Sequence, residues 1–103
     1  MTTYLAIRCT NCGDVLISRA RHDWNSCSCF KNEEGNSGCY IDGNSAIGDG
    51  TEGYIRIGGH PERFNVELPF TPSEIYKDWS FGKDKFKTID TDLYPLIVID
   101  DTK

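Results

Sequence analysis

A chain of 103 residues with a formal charge of −5, 38% hydrophobic and 12% aromatic residues has material for one modest core and little to spare. Ten glycines and a mean hydropathy of −0.47 speak for many turns, and no stretch approaches the roughly 18 apolar residues of a membrane span. Residues 1–8 lack the basic start and apolar run of a signal peptide, so the expected location is the cytoplasm.

In chain order, the first apolar runs are residues 4–8 and 14–19, which flank the turn CTNC and predict a hairpin with a metal at its tip. Cys9 and Cys12 form one close pair, Cys27 and Cys29 in CSC a second, and fourteen residues separate the two. In a reducing compartment such pairs read as metal ligands before disulfides, and a fifth cysteine leaves an odd count for any disulfide framework. Two tight turns that each offer two thiolates suit the tetrahedral demand of one structural Zn²⁺, with Zn–S distances of about 2.3 Å. Gly13, directly after Cys12, fits a knuckle turn. The alternative for these residues is reduced thiols packed as small hydrophobes.

Two other residues compete for a place at the metal. His22 stands five positions before Cys27, but the sequence HDW also suits a hydrogen-bonded corner. Cys39 lies in GCYIDG, a strand pattern in which Cys39 and Ile41 point one way and Tyr40 the other, so burial is its expected fate. Residues 39–42 and 54–57 make a second pair of strands, and KNEEGNSG and GNSAIGDGTEG are loops by composition. His60, in GGHP, reads as an exposed turn residue.

Farther along, Phe64, Val66, Leu68 and Phe70 alternate with polar residues and Pro69, which predicts a half-buried strand ending near that proline. TPSE then carries a capping box, with Thr71 as N-cap, Pro72 at the first helical position and Glu74 at the third. Phe70 and Ile75 occupy the positions of a hydrophobic staple. A short helix from Pro72 to about Trp79 is expected, with Ile75, Tyr76 and Trp79 inward and Gly82 as the stop. Residues 85–89 read as another short strand, and LIVI at 96–99 is the strongest β signal in the chain. The expected fold is α+β, mostly β. A zinc-ribbon-like part over residues 1–60 and a strand–helix–strand extension over 61–103 pack as a single domain.

Residues 7–59 resemble a family of small, uncharacterised phage and bacterial proteins with a zinc-ribbon pattern. The resemblance rests on Cys9, Cys12 and Gly13; Ser18; His22 and Asp23; Cys27 and Cys29; Asp42 and Gly43; and Tyr54 and Arg56. It covers about half of the chain. The loops after Cys29 and Gly43 are longer than in that pattern, and the segment after His60 has no counterpart in it. The resemblance implies a bound metal and a phage association, and it implies no activity.

Charge ranks the possible tasks. Four thiolates against the two charges of a zinc ion take the balance from −5 to about −7. Residues 1–60 hold five Lys or Arg against seven acids, and residues 61–103 six against nine, so neither part is a basic module. Since phosphate neutralisation supplies most nucleic-acid affinity, a nucleic-acid-binding ribbon is disfavoured; its one resource is an arginine face of Arg8, Arg19, Arg21 and Arg56. The competing expectation for those arginines is a scatter of solvated charges. A four-cysteine zinc is closed to water, which argues against catalysis at the metal. That leaves only Cys39 with His22 or His60, and the acids Asp90, Asp92, Asp100 and Asp101, as catalytic candidates. The Gly-rich loops hold no phosphate-binding fingerprint, and GDGTEG alone is a weak sign of a small anionic ligand. The expectation is a non-enzymatic, zinc-stabilised protein-interaction module with a protein partner, of the kind a phage encodes to modulate a host enzyme or defence component.

Overall fold

The computed structural model describes residues 2–30, 38–47, 55–83 and 85–98. Most of the loops expected around KNEEGNSG and GDGTEG, together with Tyr54, Ile99, Asp100 and Asp101, lie outside the described residues. The architecture is α+β and mostly β, with eight short strands and one helix among the described residues.

The longest strands set the frame. Strand β1 (Thr2–Arg8) pairs antiparallel with β7 (Glu62–Leu68) along its whole length, from Thr2 opposite Leu68 to Arg8 opposite Glu62. On its other edge β1 has two partners in tandem. Near its start it meets β5 (Ala46–Ile47), and near its end β2 (Val15–Leu16). Strand β8 (Leu96–Val98) adds to the far side of β7, giving the order β2-β1-β7-β8 with β5 beside β1. A second, three-stranded sheet is formed by β3 (Asn25–Ser26), β4 (Tyr40–Asp42) and β6 (Arg56–Gly58), in the order β3-β4-β6.

Both faces of β1 are covered, because its side chains alternate between two apolar clusters. Tyr4 and Ala6 join Val15, Ile17, Ala46, Val66, Leu68, Ile75, Phe86 and Ile89 in the larger cluster. Ile7, with Cys9 just beyond the strand, joins Leu16, Cys27, Cys39 and Ile41 in the smaller one. The ladder between β1 and β7 crosses the expected division at residue 60, so the cysteine-bearing segment supplies the central strand of the sheet on which the helix rests.

Helix α1 (Pro72–Ser80) begins as the sequence predicts. The backbone N–H of Glu74 donates to Thr71 Oγ1 at 3.2 Å, and the Thr71 N–H donates to Glu74 Oε1 at 3.0 Å. That bond from Thr71 holds the Glu74 carboxyl below its ordinary value. Phe70 and Ile75, the staple pair, pack in the same cluster. The helix ends at Ser80, and Gly82 takes a left-handed φ of +69° that a side chain would oppose.

Several expectations are corrected. The inner face of α1 carries Ile75 and Asp78, while Tyr76 is 48% exposed. Residues 85–89 form no strand: 85–87 make a turn, followed by a bend at Thr88. The reason is visible in their hydrogen bonds: the N–H groups of Lys85 and Phe86 donate to the two oxygens of Asp78 at 3.2 and 2.9 Å, and the carbonyl of Lys87 accepts from Asn25 Nδ2 at 2.6 Å. Side chains thus take the backbone groups that a neighbouring strand would have used. The run 14–19 is ladder only at Val15 and Leu16, because beyond them Ser18 exchanges hydrogen bonds with Ser45, which leads β5 onto the edge of β1. Strand β5 itself lies in a stretch expected to be loop.

Arg19 is the largest correction. Expected in solvent, it is 6% exposed and lies between two buried carboxylates. Its Nε donates to Asp23 Oδ2 at 2.7 Å, and its Nη1 donates to Asp78 Oδ2 at 2.7 Å and to the carbonyl of Lys83 at 2.9 Å. Burial works against the guanidinium charge, but Asp23 and Asp78 outweigh it and hold Arg19 above its usual range.

Removing one member of a buried, fully hydrogen-bonded ion network leaves charge without a partner. Asp78→Ala, which also orphans the N–H groups of Lys85 and Phe86, is expected to cost about 3–5 kcal/mol in urea unfolding. Thr71→Ala should cost about 1 kcal/mol. The part of the helix start carried by the Glu74 carboxylate is present above the ordinary carboxyl value and fades as pH falls through the lowered folded value. The stability difference between wild type and Thr71→Ala should therefore narrow in acid.

Candidate metal centre

The Sγ atoms of Cys9, Cys12, Cys27 and Cys29 all lie within 4.8 Å of one another. Cys29 Sγ stands 3.5 Å from Cys9 Sγ and 3.4 Å from Cys27 Sγ. Four sulfurs at about 2.3 Å from a tetrahedral ion would stand roughly 3.8 Å apart, so the observed separations bracket the spacing a metal requires. The four cysteines can hold a metal ion.

Local hydrogen bonds build each turn. In the first, the carbonyl of Cys9 accepts from the Gly13 N–H at 3.0 Å and the Cys9 N–H donates to the carbonyl of Asp14 at 2.9 Å, closing the loop between β1 and β2. Gly13, expected in a knuckle turn, has a left-handed φ of +81°. In the second, the Phe30 N–H donates to the carbonyl of Cys27 at 3.2 Å, and the Cys27 N–H donates to the carbonyl of Cys39 at 3.0 Å. A backbone-to-carboxylate bond helps to tie the two turns together: the Ser28 N–H donates to Asp14 Oδ2 at 2.8 Å. Asp14 escaped the sequence reading, although its place after CG puts it at the mouth of the hairpin.

Backbone donors also reach the sulfurs. The Asn11 N–H points to Cys9 Sγ at 3.4 Å and the Cys39 N–H to Cys27 Sγ at 3.2 Å. Such donors favour thiolate over thiol. Burial pushes the Cys9 thiol up, but the donors from Cys12 and Asn11 and the neighbouring sulfurs outweigh it and bring it down to about 6. Cys12 is lowered in the same way, against the effect of its burial. Cys29 is helped by Asn11, yet burial and the three other sulfurs push it up to about 12. Negative charge therefore collects on the first turn, and the proton on Cys29 is one that an arriving cation must displace.

The rival ligands are not members of this group. Cys39 is 1% exposed and packs in the smaller cluster beside Cys9 and Cys27, and burial followed by those two sulfurs pushes its thiol far up. His22 and His60 are exposed, and neither belongs to the cysteine group. Of the expected arginine face, Arg19 is buried between carboxylates and Arg8 is held by Glu62 at 2.6 Å, while Arg21 and Arg56 are exposed. No helix among the described residues is long and apolar enough to cross a membrane. Comparison of the chain with protein-family models, curated proteins and solved structures yields no match.

Metal uptake by the apo-protein should release protons, Cys29 contributing one, read as a dependence of calorimetric heat on buffer ionisation enthalpy. Cys9→Ser and Cys27→Ser should lose the metal and most of the soluble protein. Cys39→Ser should keep the metal and cost about 1–3 kcal/mol, since it leaves a buried hydroxyl short of partners. Equal loss of metal from all three variants would mean that the ligand set is misassigned.

Proposed function

We propose that the chain is a non-enzymatic protein-interaction module stapled by one structural zinc ion on Cys9, Cys12, Cys27 and Cys29. Zinc is favoured because four thiolates in a tetrahedron match its charge, softness and lack of geometric preference. With every coordination position taken by sulfur, no place is left for a metal-bound water, which supports a structural role for the ion. The other catalytic candidates offer little. Cys39 is sealed from solvent, and Asp90 and Asp92 are exposed, with the Asp92 N–H donating to Asp90 Oδ1 at 3.0 Å as in an ordinary turn.

The observation that carries the reading is a set of three aromatic rings beside the second cysteine turn. Trp24, half exposed, meets Phe30 at 5.2 Å and Tyr40 at 5.5 Å between centroids, and Phe30 meets Tyr40 at 5.9 Å. Gly58 makes the arrangement possible, since a Cβ there would stand 1.9 Å from the Tyr40 ring. Aromatic clusters fixed to a rigid support are what protein interfaces use as anchors. Acidity supports a protein partner over nucleic acid, and so does the loss of Arg19 and Arg8 to carboxylates. The phage resemblance adds the kind of partner, a host enzyme or defence component met in the host cytoplasm, where thiols stay reduced.

Affinity capture from host lysate with the zinc-loaded wild type and with Trp24→Ala tests this. The expected result is a protein bound by the wild type and weakened at least about tenfold by Trp24→Ala, with unchanged zinc content by elemental analysis. Recovery of nucleic acid alone, released steeply by salt, would overturn it.

A further inference from the structure

The end of α1 and the turn that follows it gather charge opposite in sign to that of the rest of the chain. Residues 77–87 hold four lysines against Asp78 and Asp84, while the remaining residues hold seven bases against fourteen acids. Asp78 is buried on Arg19, and Asp84 lies outside the described residues. Lys77, Lys83, Lys85 and Lys87 are all exposed, and none forms an ion pair among the described residues.

Three of these lysines line a shallow hollow whose exposed lining is chiefly apolar, supplied by Phe70, Phe81 and Phe86. Its volume of about 220 Å³ falls below the roughly 300–1,000 Å³ of small-molecule sites and suits a single side chain of a partner. Phe81 is 68% exposed, and Phe70 and Phe86 meet edge to face at 4.9 Å between centroids. The Lys85 ammonium stands 5.0 Å from the centre of the Phe70 ring and 5.4 Å from that of Phe86. Beside those rings its charge is less screened than in open water, so a carboxylate that meets it there gains more. Glu74, the exposed carboxylate of the lining, accepts from the N–H and hydroxyl of Thr71 at 3.0 and 3.1 Å, and it offsets only part of the charge of Lys77 and Lys85.

The buried ion network holds this surface in shape. The Asp78 carboxylate accepts from the N–H groups of Lys85 and Phe86, the Asp78 carbonyl accepts from the Lys83 N–H at 2.8 Å, and Arg19 holds the Lys83 carbonyl. Lys83, Lys85 and Phe86 are thus carried on backbone fixed before a partner arrives, which lowers the ordering cost of binding.

We propose that this surface docks an acidic peptide segment of a protein partner, with one apolar or aromatic side chain seated in the hollow and flanking carboxylates on Lys77, Lys83 and Lys85. Charge selects an acidic occupant, and a concave apolar floor sized for one side chain selects a peptide over an anionic membrane surface. The inference rests on the reading of the chain as a protein-interaction module and names the chemistry of one partner segment. It uses none of Trp24, Phe30 and Tyr40, so either surface can fail alone.

The test is a nuclear magnetic resonance titration of zinc-loaded, isotope-labelled protein with capped heptapeptides that carry three acidic residues on either side of a central one. With phenylalanine at the centre, saturable shifts of the Phe81, Lys83 and Lys85 amides are expected below about 1 mM, with affinity falling as salt rises. A central serine, or lysines in place of the acids, should weaken binding at least about tenfold. Phe81→Ser, and separately Lys83→Gln combined with Lys85→Gln, should each do the same while zinc content and thermal midpoint stay close to wild type. Trp24→Ala should leave the titration unchanged whatever it does to capture from lysate. The proposal is overturned if the acidic phenylalanine peptide does not saturate, if the serine peptide binds as tightly, or if the variants bind like wild type. It is overturned equally if these amides respond only to anionic vesicles or to a single-stranded oligonucleotide.

Discussion

The structure hangs on the seven-residue ladder between β1 and β7. It joins segments about sixty residues apart in sequence and places β1 at the centre of the larger sheet, so both of its faces must be covered. One face is covered by α1 and the turns at 85–94, which bring Ile75, Phe86 and Ile89 onto Tyr4 and Ala6. The other is covered by the smaller sheet and the cysteine turns. A 103-residue chain has too few apolar side chains to cover both faces with hydrocarbon alone.

The two coverings use different chemistry for the same end. Above Ile7 and Leu16 the cluster is made largely of cysteines, which bury little hydrocarbon each. The proposed ion would replace that missing burial with coordination bonds, turning four small side chains into a rigid corner. On the opposite face the Arg19 network plays the comparable part. It links the segment before β3, the inner face of α1 and the turn after the helix through one guanidinium.

The features legible in the sequence were those whose cause is local. A capping box, a glycine at a helix end, a glycine after CxxC and the alternation at Cys39–Ile41 each depend on residues within a few positions of one another, and each took the expected form. What sequence could not disclose depends on partners far away. Nothing near Arg19 announces Asp78, fifty-nine residues on, and nothing near Lys85 and Phe86 announces that a carboxylate will take their N–H groups in place of a strand. The apolar character of Tyr76 predicts an inward side chain, but it is Asp78, two residues later, that turns inward to meet Arg19.

The spacing of the four sulfurs along the chain bears on the order of events during synthesis. All of them lie before residue 30, whereas the partner that completes β1 begins at Glu62. An ion bound there would find all of its ligands in the first third of the polypeptide, ahead of the strand that pairs with the β7 edge of β1. An edge of β1 left without Glu62–Leu68 would expose a row of unpaired backbone groups, the kind of edge that invites pairing with another chain.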